Sequence, residues 1–192
     1  MPPDHPKPVI AVFCGSKSGS DPSYIADASL LGKLLALKGF NIVYGGSSKG
    51  MMGALANHAI EHGADVIGVI PEVLLAWEQQ HSGLTELIVT KDMHIRKKTM
   101  YEMGIAGIVL PGGFGTLDEM FEMLTWNQLS IHDKKIYILN SGGFYDHLIK
   151  HMELLSSNGF LYDPLWTRIN KFDNPVDLVA ALAKDLNIKS QL

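Results

Sequence analysis

Short runs of apolar residues alternate with longer stretches of helical periodicity along most of the chain. Residues 9–14 are apolar without interruption, which is typical of a β-strand buried on both faces of a sheet. Asp21 and Pro22 then suit the N-cap and the first position of a helix, and Gly39 suits its end. Because strand and helix keep alternating, the sequence predicts an α/β fold whose sheet carries helices on both faces.

The alternation divides into six expected strands and six expected helices. The strands are expected at residues 9–14, 41–44, 64–70, 84–89, 105–110 and 135–140. The helices are expected at residues 22–39, 50–62, 92–103, 116–129, 145–155 and 175–186. Residues 74–83 show no clear element and are expected to form a loop that contributes to a site. We expect a single Rossmann-like, doubly wound domain over residues 1–192, with a mainly parallel sheet and a flexible segment at 1–8.

The composition of the chain indicates which kinds of partner it can bind and in which cellular compartment it is expected. The net charge of -4 leaves no basic excess of the kind that a nucleic-acid polymer requires. Cys14 is the only cysteine, so no disulfide can form within the chain. No stretch approaches the roughly 18 apolar residues of a membrane span, and the first residues lack the apolar run of a signal peptide. These features predict a cytoplasmic protein that binds neither nucleic acid polymers nor membranes.

The first glycine-rich turn follows the second expected strand. Gly45 and Gly46, with Gly50 and Gly53 further on, allow close backbone approach and unusual φ angles. In a doubly wound sheet, the N–H groups of the following helix can face an anion there, assisted by the helix dipole. Glycine also ends many strands for structural reasons alone, so the two interpretations stay equally open.

The second glycine-rich turn is more specific, because residues 111–116 read Pro-Gly-Gly-Phe-Gly-Thr. Three glycines within four positions cost conformational entropy on folding unless a ligand must approach the backbone. Thr116 can cap the following helix or hydrogen-bond a phosphate. Thr116 and Glu119 also have the spacing of a capping box, which spacing alone favours over action of Glu119 on a ligand. Asp118 and Glu122 are expected to be solvated.

A basic cluster, Arg96-Lys97-Lys98, follows Met93-His94 in the third expected helix. Most charge runs of this kind form a solvated helix face. The functional alternative is a phosphate clamp in which Arg96 makes bidentate contacts. Composition does not decide between these two interpretations.

The eight histidines do not predict a metal site. His58 and His62 are four residues apart on an expected helix, as are His147 and His151, but neither pair has the His-Glu-x-x-His pattern. A single cysteine cannot support a zinc site made of thiolates alone. We therefore expect neither a metal ion nor another cofactor.

Two segments together resemble the Lonely Guy (LOG) family, the cytokinin-activating phosphoribohydrolases. Residues 111–119 carry the pattern Pro-Gly-Gly-x-Gly-Thr-x-x-Glu, and residues 93–97 carry Met-His-x-Arg-Lys. The similarity covers most of the chain, including 13–16, 43–46, 125–129 and other segments. Members of this family were once often labelled lysine decarboxylases, but nothing in the sequence indicates a pyridoxal-phosphate site.

The resemblance implies hydrolysis of a nucleoside 5′-monophosphate to free base and ribose 5-phosphate, with Arg96 and Glu119 as the catalytic pair. Arg96 is also expected to keep Glu119 ionised. The other matched positions are implied to bind the substrate: Ser16, Gly45, Gly46, Glu78, Lys97, Gly112, Gly113, Phe114, Gly115, Thr116 and Thr125. The resemblance further implies a homodimer with the site near the subunit boundary.

Three positions depart from the family pattern. Ser47 replaces a common glycine, Met51 a common leucine and Asp118 a common glutamate. These departures leave Arg96 and Glu119 in place and bear on base preference. The substrate can therefore carry an isoprenoid-modified adenine or be plain AMP. The sequence also does not identify the group that protonates the leaving base. The rival hypothesis is a non-catalytic nucleotide-binding or carrier protein on the same fold. A Rossmann oxidoreductase is disfavoured because the Gly-x-Gly-x-x-Gly spacing is absent.

Overall fold

The apolar runs of the sequence form strands, and the turn after most of them leads into a helix. The structure is a computed structural model that describes residues 7–76 and 79–187. Its strands are β1 (Val9–Phe13), β2 (Asn41–Tyr44), β3 (Val66–Pro71), β4 (Glu86–Thr90), β5 (Gly107–Val109), β6 (Ile136–Leu139) and β7 (Ile169–Phe172). Its helices are α1 (Pro22–Leu37), α2 (Gly50–Glu61), α3 (Met93–Met103), α4 (Phe114–Gln128), α5 (Asp146–Ser157) and α6 (Pro175–Asp185).

The strands form one sheet in the order β4-β3-β2-β1-β5-β6-β7, and each neighbouring pair is parallel. The chain adds β2, β3 and β4 on one side of β1, and then returns to the other side to add β5, β6 and β7. This is the topology of a doubly wound sheet, so the predicted α/β Rossmann-like fold is confirmed. The strand order reverses between β1 and β5, where such sheets bind ligands beyond the carboxyl ends of the strands.

The core lies on both faces of the sheet. Ile10 and Val12 pack on the face covered by α1, α2 and α6, whereas Ala11 and Phe13 pack on the face covered by α3, α4 and α5. Successive side chains of a strand point to opposite faces. A strand covered on both sides must therefore be apolar at nearly every position, as β1 is.

Helix α1 begins and ends as the sequence predicts. Asp21 is its N-cap, and the carboxylate accepts a hydrogen bond of 2.9 Å from the backbone N–H of Ser23. Gly39 has a φ of 79°, the left-handed conformation that glycine adopts most readily after a helix. These two signals need no tertiary contact to act, which is why the sequence alone locates them.

One strand was missed by sequence reasoning. β7 lies at the edge of the sheet, and Ile169 pairs with Ile136 of β6. The four residues of β7 include Asn170 and Lys171, so they form no apolar run. An edge strand needs burial only in part and can carry polar residues, which leaves a weak pattern in the sequence.

The stretch at 74–83, predicted to be a loop, is attached to the first glycine-rich turn. Its start overlaps a short 3₁₀ turn at Glu72–Leu74. Further along, the N–H of Ser48 donates to the carbonyl of Gln79 at 2.8 Å, and the N–H of His81 donates to the carbonyl of Gly46 at 3.1 Å. These bonds hold the described part of the loop beside the carboxyl end of β2.

Candidate active site

Helix α4 starts directly after the second glycine-rich turn, at the carboxyl end of β5. Its N-cap is Gly113, which has no side chain to form a capping bond. The helix therefore begins at Phe114, two residues earlier than predicted. Thr116 therefore lies inside the first turn, where it is buried. The predicted capping box between Thr116 and Glu119 is wrong, because the Glu119 carboxylate faces a different partner.

That partner is Arg96, which reaches Glu119 from α3. Arg96 Nη1 donates to Glu119 Oε1 at 2.9 Å, and both side chains are about 95% buried, with relative exposures of 6% and 5%. Arg96 Nε donates to the carbonyl oxygen of Val69 at 2.9 Å, at the carboxyl end of β3. The guanidinium is thus fixed from two sides, and the interpretation of this basic cluster as a solvated helix face is wrong for Arg96.

Gly45 leaves room for this guanidinium. A Cβ atom at Gly45 would lie 2.5 Å from Arg96 Nη2 and 2.9 Å from Met52 Cε. Contacts this short would displace the arginine. Gly46 has a φ of 83° and makes the turn that follows β2. In this chain, the first glycine-rich turn therefore supports the arginine that faces the site.

Burial raises the pKa of Glu119 to about 7. Arg96 and, more weakly, Lys97 lower that pKa, whereas Asp118 raises it, and burial outweighs the attraction of the two cations. Arg96 thus favours the ionised form of Glu119, as expected, but burial leaves the pKa of the carboxyl group at about 7, so Arg96 alone does not keep it ionised throughout the neutral range. A carboxyl group with a pKa near the working pH is well suited to exchange protons with a substrate.

Lys97, next to Arg96, is also buried. Its Nζ lies 3.0 Å from Asp118 Oδ2 and 3.0 Å from Glu122 Oε2, both on α4. Burial lowers the pKa of Lys97, but the bonds to these two carboxylates outweigh burial and leave that pKa above its usual value. The prediction that Asp118 and Glu122 are solvated is only partly right, since their side chains are 54% and 25% exposed and both pair with Lys97.

A cleft of about 210 Å³ opens over the Arg96–Glu119 pair at the carboxyl edge of the sheet. It is lined by Cys14, Gly15, Ser16, Met52, Leu74, Met93, Arg96, Gly113, Gly115, Thr116 and Glu119. A neighbouring cleft of about 390 Å³ shares Gly15, Ser16 and Gly113 and adds Gly112, Tyr24 and Phe144, among others. The structure thus brings Ser16, both catalytic candidates and most of the second glycine-rich turn to one place.

Five of the described residues that the sequence analysis assigned to substrate binding do not line these two clefts: Gly45, Gly46, Lys97, Phe114 and Thr125. Thr125 lines a separate, mostly apolar cleft of about 130 Å³ with Leu124 and Met152, and its hydroxyl donates to the carbonyl of Phe121 at 2.7 Å. Glu78 lies outside the described residues. Phe114, the first residue of α4, is 91% exposed.

Sequence reasoning missed several residues around the pair. Tyr101 Oη donates to the backbone carbonyl of Glu119 at 2.9 Å, and Met52, Leu74 and Met93 form apolar walls of the cleft. Tyr101 follows Lys97 by four residues, so the 3.6-residue period of α3 places both on one side of the helix. That spacing is visible in the sequence, but what lies opposite the helix is not.

Across 7–76 and 79–187, no group of three or more His, Cys, Asp and Glu side chains could hold a metal ion. No helix in these ranges is long and apolar enough to cross a membrane.

The glycines of the second turn differ in what surrounds them. A Cβ at Gly112 would overlap the hydroxyl of Thr116 and lie 2.9 Å from the N atom of Gly15, so Gly112 is needed for packing. A Cβ at Gly113 or at Gly115 would meet nothing within 4 Å, and neither residue has a positive φ. Nothing in the described fold requires glycine at these two positions. The space in front of them is open for a ligand.

Substitution of alanine at Gly112 and at Gly115 is expected to separate packing from ligand binding. Gly115→Ala should keep or slightly raise the melting temperature, because alanine favours a helix over glycine by about 1 kcal/mol. Its methyl group should enter the cleft and weaken the binding of a phosphorylated ligand there by about tenfold or more. Gly112→Ala should lower the stability by about 1–3 kcal/mol through overpacking. Thermal unfolding and ligand titration on both variants test this, and an unchanged affinity for the ligand in Gly115→Ala would contradict it.

Comparisons with known proteins relate this chain to a family of similar sequences. A family model described as "Possible lysine decarboxylase" matches residues 52–182. A cytokinin riboside 5′-monophosphate phosphoribohydrolase of Rhodococcoides fascians is 44% identical over 161 residues, which span 83% of this chain and 81% of that protein. A cytokinin riboside 5′-monophosphate phosphoribohydrolase of Arabidopsis thaliana is 43% identical over 161 residues, which span 83% of this chain and 73% of that protein.

Solved structures share the architecture at lower identity. The molybdenum cofactor carrier protein of Chlamydomonas reinhardtii superposes with a TM-score of 0.74, over 94% of this chain and 99% of that chain. Its sequence is 22% identical, so the likeness concerns the fold alone.

Proposed function

The chain belongs to the Lonely Guy (LOG) family, and we propose that it is a phosphoribohydrolase acting at the Arg96–Glu119 pair. It cleaves the N-glycosidic bond of nucleoside 5′-monophosphates, a cytokinin riboside 5′-monophosphate or AMP, to free base and ribose 5-phosphate. The observation that supports the assignment to these residues is a buried carboxyl group with a pKa near 7, opposed by an arginine in an open cleft.

The phosphate of the substrate binds at the amino end of α4. The first N–H groups of a helix have no partner within the helix, and the helix dipole favours an anion there. Gly113 and Gly115 have open space in front of the backbone, and the Thr116 side chain lies at the same end of the cleft. At a rise of about 1.5 Å per residue, Glu119 lies about 6 Å beyond Gly115 along the helix axis. A ribose ring can bridge that distance between the phosphate and the carboxylate.

The reaction is a displacement at C1′ of the ribose. The bond between C1′ and the nitrogen of the base breaks, the oxygen of a water molecule bonds to C1′, and a proton released by that water ends on the departing base. The transition state carries positive charge on the sugar, as in other glycoside hydrolysis. An ionised Glu119 stabilises that charge or accepts the proton of the attacking water, and both roles require the carboxylate form.

Arg96 holds the carboxylate where the sugar must lie. Its bond to the carbonyl of Val69 fixes the guanidinium on the sheet, so the remaining bond to Glu119 fixes the carboxylate relative to the amino end of α4. The phosphate and the carboxylate are then held at a set separation before the substrate binds. Such positioning lowers the entropic part of the barrier.

Incubation of the purified protein with AMP and with N6-isopentenyl-AMP tests the activity. Chromatography should detect free base together with equimolar ribose 5-phosphate, and the faster substrate defines the base preference. Met52, Leu74 and Met93 give the cleft apolar walls, which favours a base with an apolar substituent. Intact nucleotide after prolonged incubation, with thermal stabilisation by the ligand, would indicate a nucleotide-binding protein instead.

A homodimer would reconcile Thr125 with a role in substrate binding. Thr125 lies in a cleft apart from the Arg96–Glu119 pair, so within one chain it does not line the cleft over that pair. Apolar side chains are exposed on and after α4, including Phe121 and Leu129. We expect light scattering at micromolar concentration to give twice the mass of one chain. The mass of a single chain would contradict the dimer.

The proposed site of action is the cytoplasm. Cys14, the only cysteine, is buried at the end of β1 and forms no disulfide, which fits a reducing compartment. Cell fractionation with an antibody against the chain tests the assignment, and recovery outside the cytoplasmic fraction would refute it.

A further inference from the structure

Three long side chains of α3 reach α4, and all of them act on the turn that carries Glu119. Arg96 bonds to the Glu119 carboxylate. Lys97 lies between the carboxylates of Asp118 and Glu122. Tyr101 donates to the backbone carbonyl of Glu119. Only the first of these contacts involves the carboxylate that faces the sugar.

The bridge made by Lys97 brackets Glu119 along the helix. Asp118 precedes Glu119 by one residue and Glu122 follows it by three, so one ammonium group holds both ends of that helical turn. The two distances are 3.0 Å, and Lys97 is 5% exposed. Asp118 and Glu122 are partly exposed, but the ammonium group between them is buried and is less screened by solvent than that of a surface lysine, so the bridge restrains the helix more than a fully exposed pair would.

We propose that Lys97 and Asp118 are positioning residues that fix both the place and the charge state of Glu119. This inference rests on the proposed function, since it concerns the same site. It assigns Lys97 an action through α4, whereas the family resemblance implies an action on the phosphoribosyl group. The Lys97 ammonium already has two carboxylates as partners, which leaves it less able to pair with a phosphate.

The charges around Glu119 have opposite effects on its proton affinity. Arg96 and Lys97 on α3 favour the carboxylate, and Asp118 on α4 disfavours it. The remaining groups nearby are Glu122, which pairs with Lys97, and the Cys14 thiol and Tyr101 hydroxyl, both uncharged because burial raises their pKa values. Removal of Asp118 and removal of Lys97 should therefore shift the titration of Glu119 in opposite directions.

The pH dependence of kcat/KM with AMP measures that titration. In the wild type, kcat/KM should rise with pH along a limb near pH 7, because the carboxylate form is the active one. Asp118→Asn should move this limb to lower pH by about half a pH unit or more, and Lys97→Met should move it to higher pH by a similar amount. The phosphate of the substrate also titrates, near pH 6, but identically in all variants.

Glu153→Gln provides the matched control, since Glu153 is exposed on α5 and its loss removes the same charge. Its limb should coincide with that of the wild type. A general loss of stability would not shift the limbs of Asp118→Asn and Lys97→Met in opposite directions. Because the Asp118 side chain is half-exposed, we expect Asp118→Asn to fold. If Lys97→Met fails to fold, the direction of the shift in Asp118→Asn decides the test.

The outcomes separate this inference from the proposed function. A wild type that releases no base at any pH would refute the function itself. An active wild type with unmoved limbs in both variants would refute the inference and leave the function intact. A Lys97→Met variant with an unmoved limb but a KM raised tenfold or more would place Lys97 on the phosphate and overturn its assignment here.

Discussion

Glu119→Gln is expected to lower kcat/KM for release of the base from AMP by at least about 100-fold. Glutamine has nearly the same shape and can still accept a hydrogen bond from Arg96, so the cleft should keep its geometry. It cannot carry the negative charge that stabilises a cation at C1′ or accept a proton from water. The loss should therefore appear in the chemical step.

Binding provides the control for this variant. The amino end of α4 and residues 112–116 are unchanged in Glu119→Gln, so AMP should raise its melting temperature about as much as that of the wild type. The measurement is chromatography of adenine and ribose 5-phosphate, together with thermal unfolding with and without AMP. Activity within threefold of the wild type would remove Glu119 from the mechanism, whatever its burial.

Arg96→Met is expected to reduce kcat/KM by about 100-fold or more and also to destabilise the fold by up to roughly 3 kcal/mol. The substitution breaks a buried ion pair and leaves the Glu119 carboxyl group without its cationic partner. It also removes the bond to the Val69 carbonyl. The loss of stability distinguishes this variant from Glu119→Gln. In Glu119→Gln, Arg96 also loses its ionic partner, but the amide of the glutamine takes the place of the carboxylate.

The stability loss in Arg96→Met should depend on pH. Without Arg96, the pKa of Glu119 in the folded state should rise further above 7, while that of the unfolded chain stays near 4.5. A raised folded-state pKa gives stability that is present at low pH and lost as the pH rises through that pKa. The wild type has lost this contribution once the pH exceeds about 7, whereas the variant continues to lose stability up to its own higher pKa, so the deficit of the variant widens above pH 7.

The sign of this pH dependence follows from the pKa of Glu119 in the two folded proteins. Below pH 7 both folded proteins hold a protonated Glu119, and the difference in stability reflects lost hydrogen bonds. Above pH 7 the wild-type carboxylate ionises beside Arg96, whereas the variant must keep the proton or bury an unpaired charge. The wild type then binds fewer protons when folded, so its stability falls less steeply with pH and the deficit of Arg96→Met grows. Thermal unfolding at pH 6 and at pH 9 measures this.

A double variant separates the loss of the pair from the loss of either charge. In Arg96→Met with Glu119→Gln, no buried charge remains, so part of the stability lost in Arg96→Met should return. The two sites are in contact, and their effects should not add. A double variant less stable than Arg96→Met by the full cost of Glu119→Gln would show that the two side chains act independently.

Much of the fold follows from local sequence patterns. The continuous apolar run at 9–14, the cap at Asp21 and the glycine at Gly39 predict β1 and α1 because they depend on burial and on backbone conformation near each residue. β7 escaped because two of its four residues are polar. The start of α4 was predicted two residues late because spacing favoured Thr116 as a cap over Gly113.

The sequence by itself determined the fold class, the two glycine-rich turns and, through two motifs, which residues are candidates for catalysis. Only the tertiary structure decided what those residues do to one another. Arg96 and Glu119 are 23 residues apart, and the parallel crossover from α3 through β5 to α4 brings them to 2.9 Å. The pKa of Glu119 depends on burial and on charges from both helices, which no local pattern encodes. Proximity and desolvation are properties of the packed molecule, and they turn a spacing that resembles a capping box into a buried ion pair.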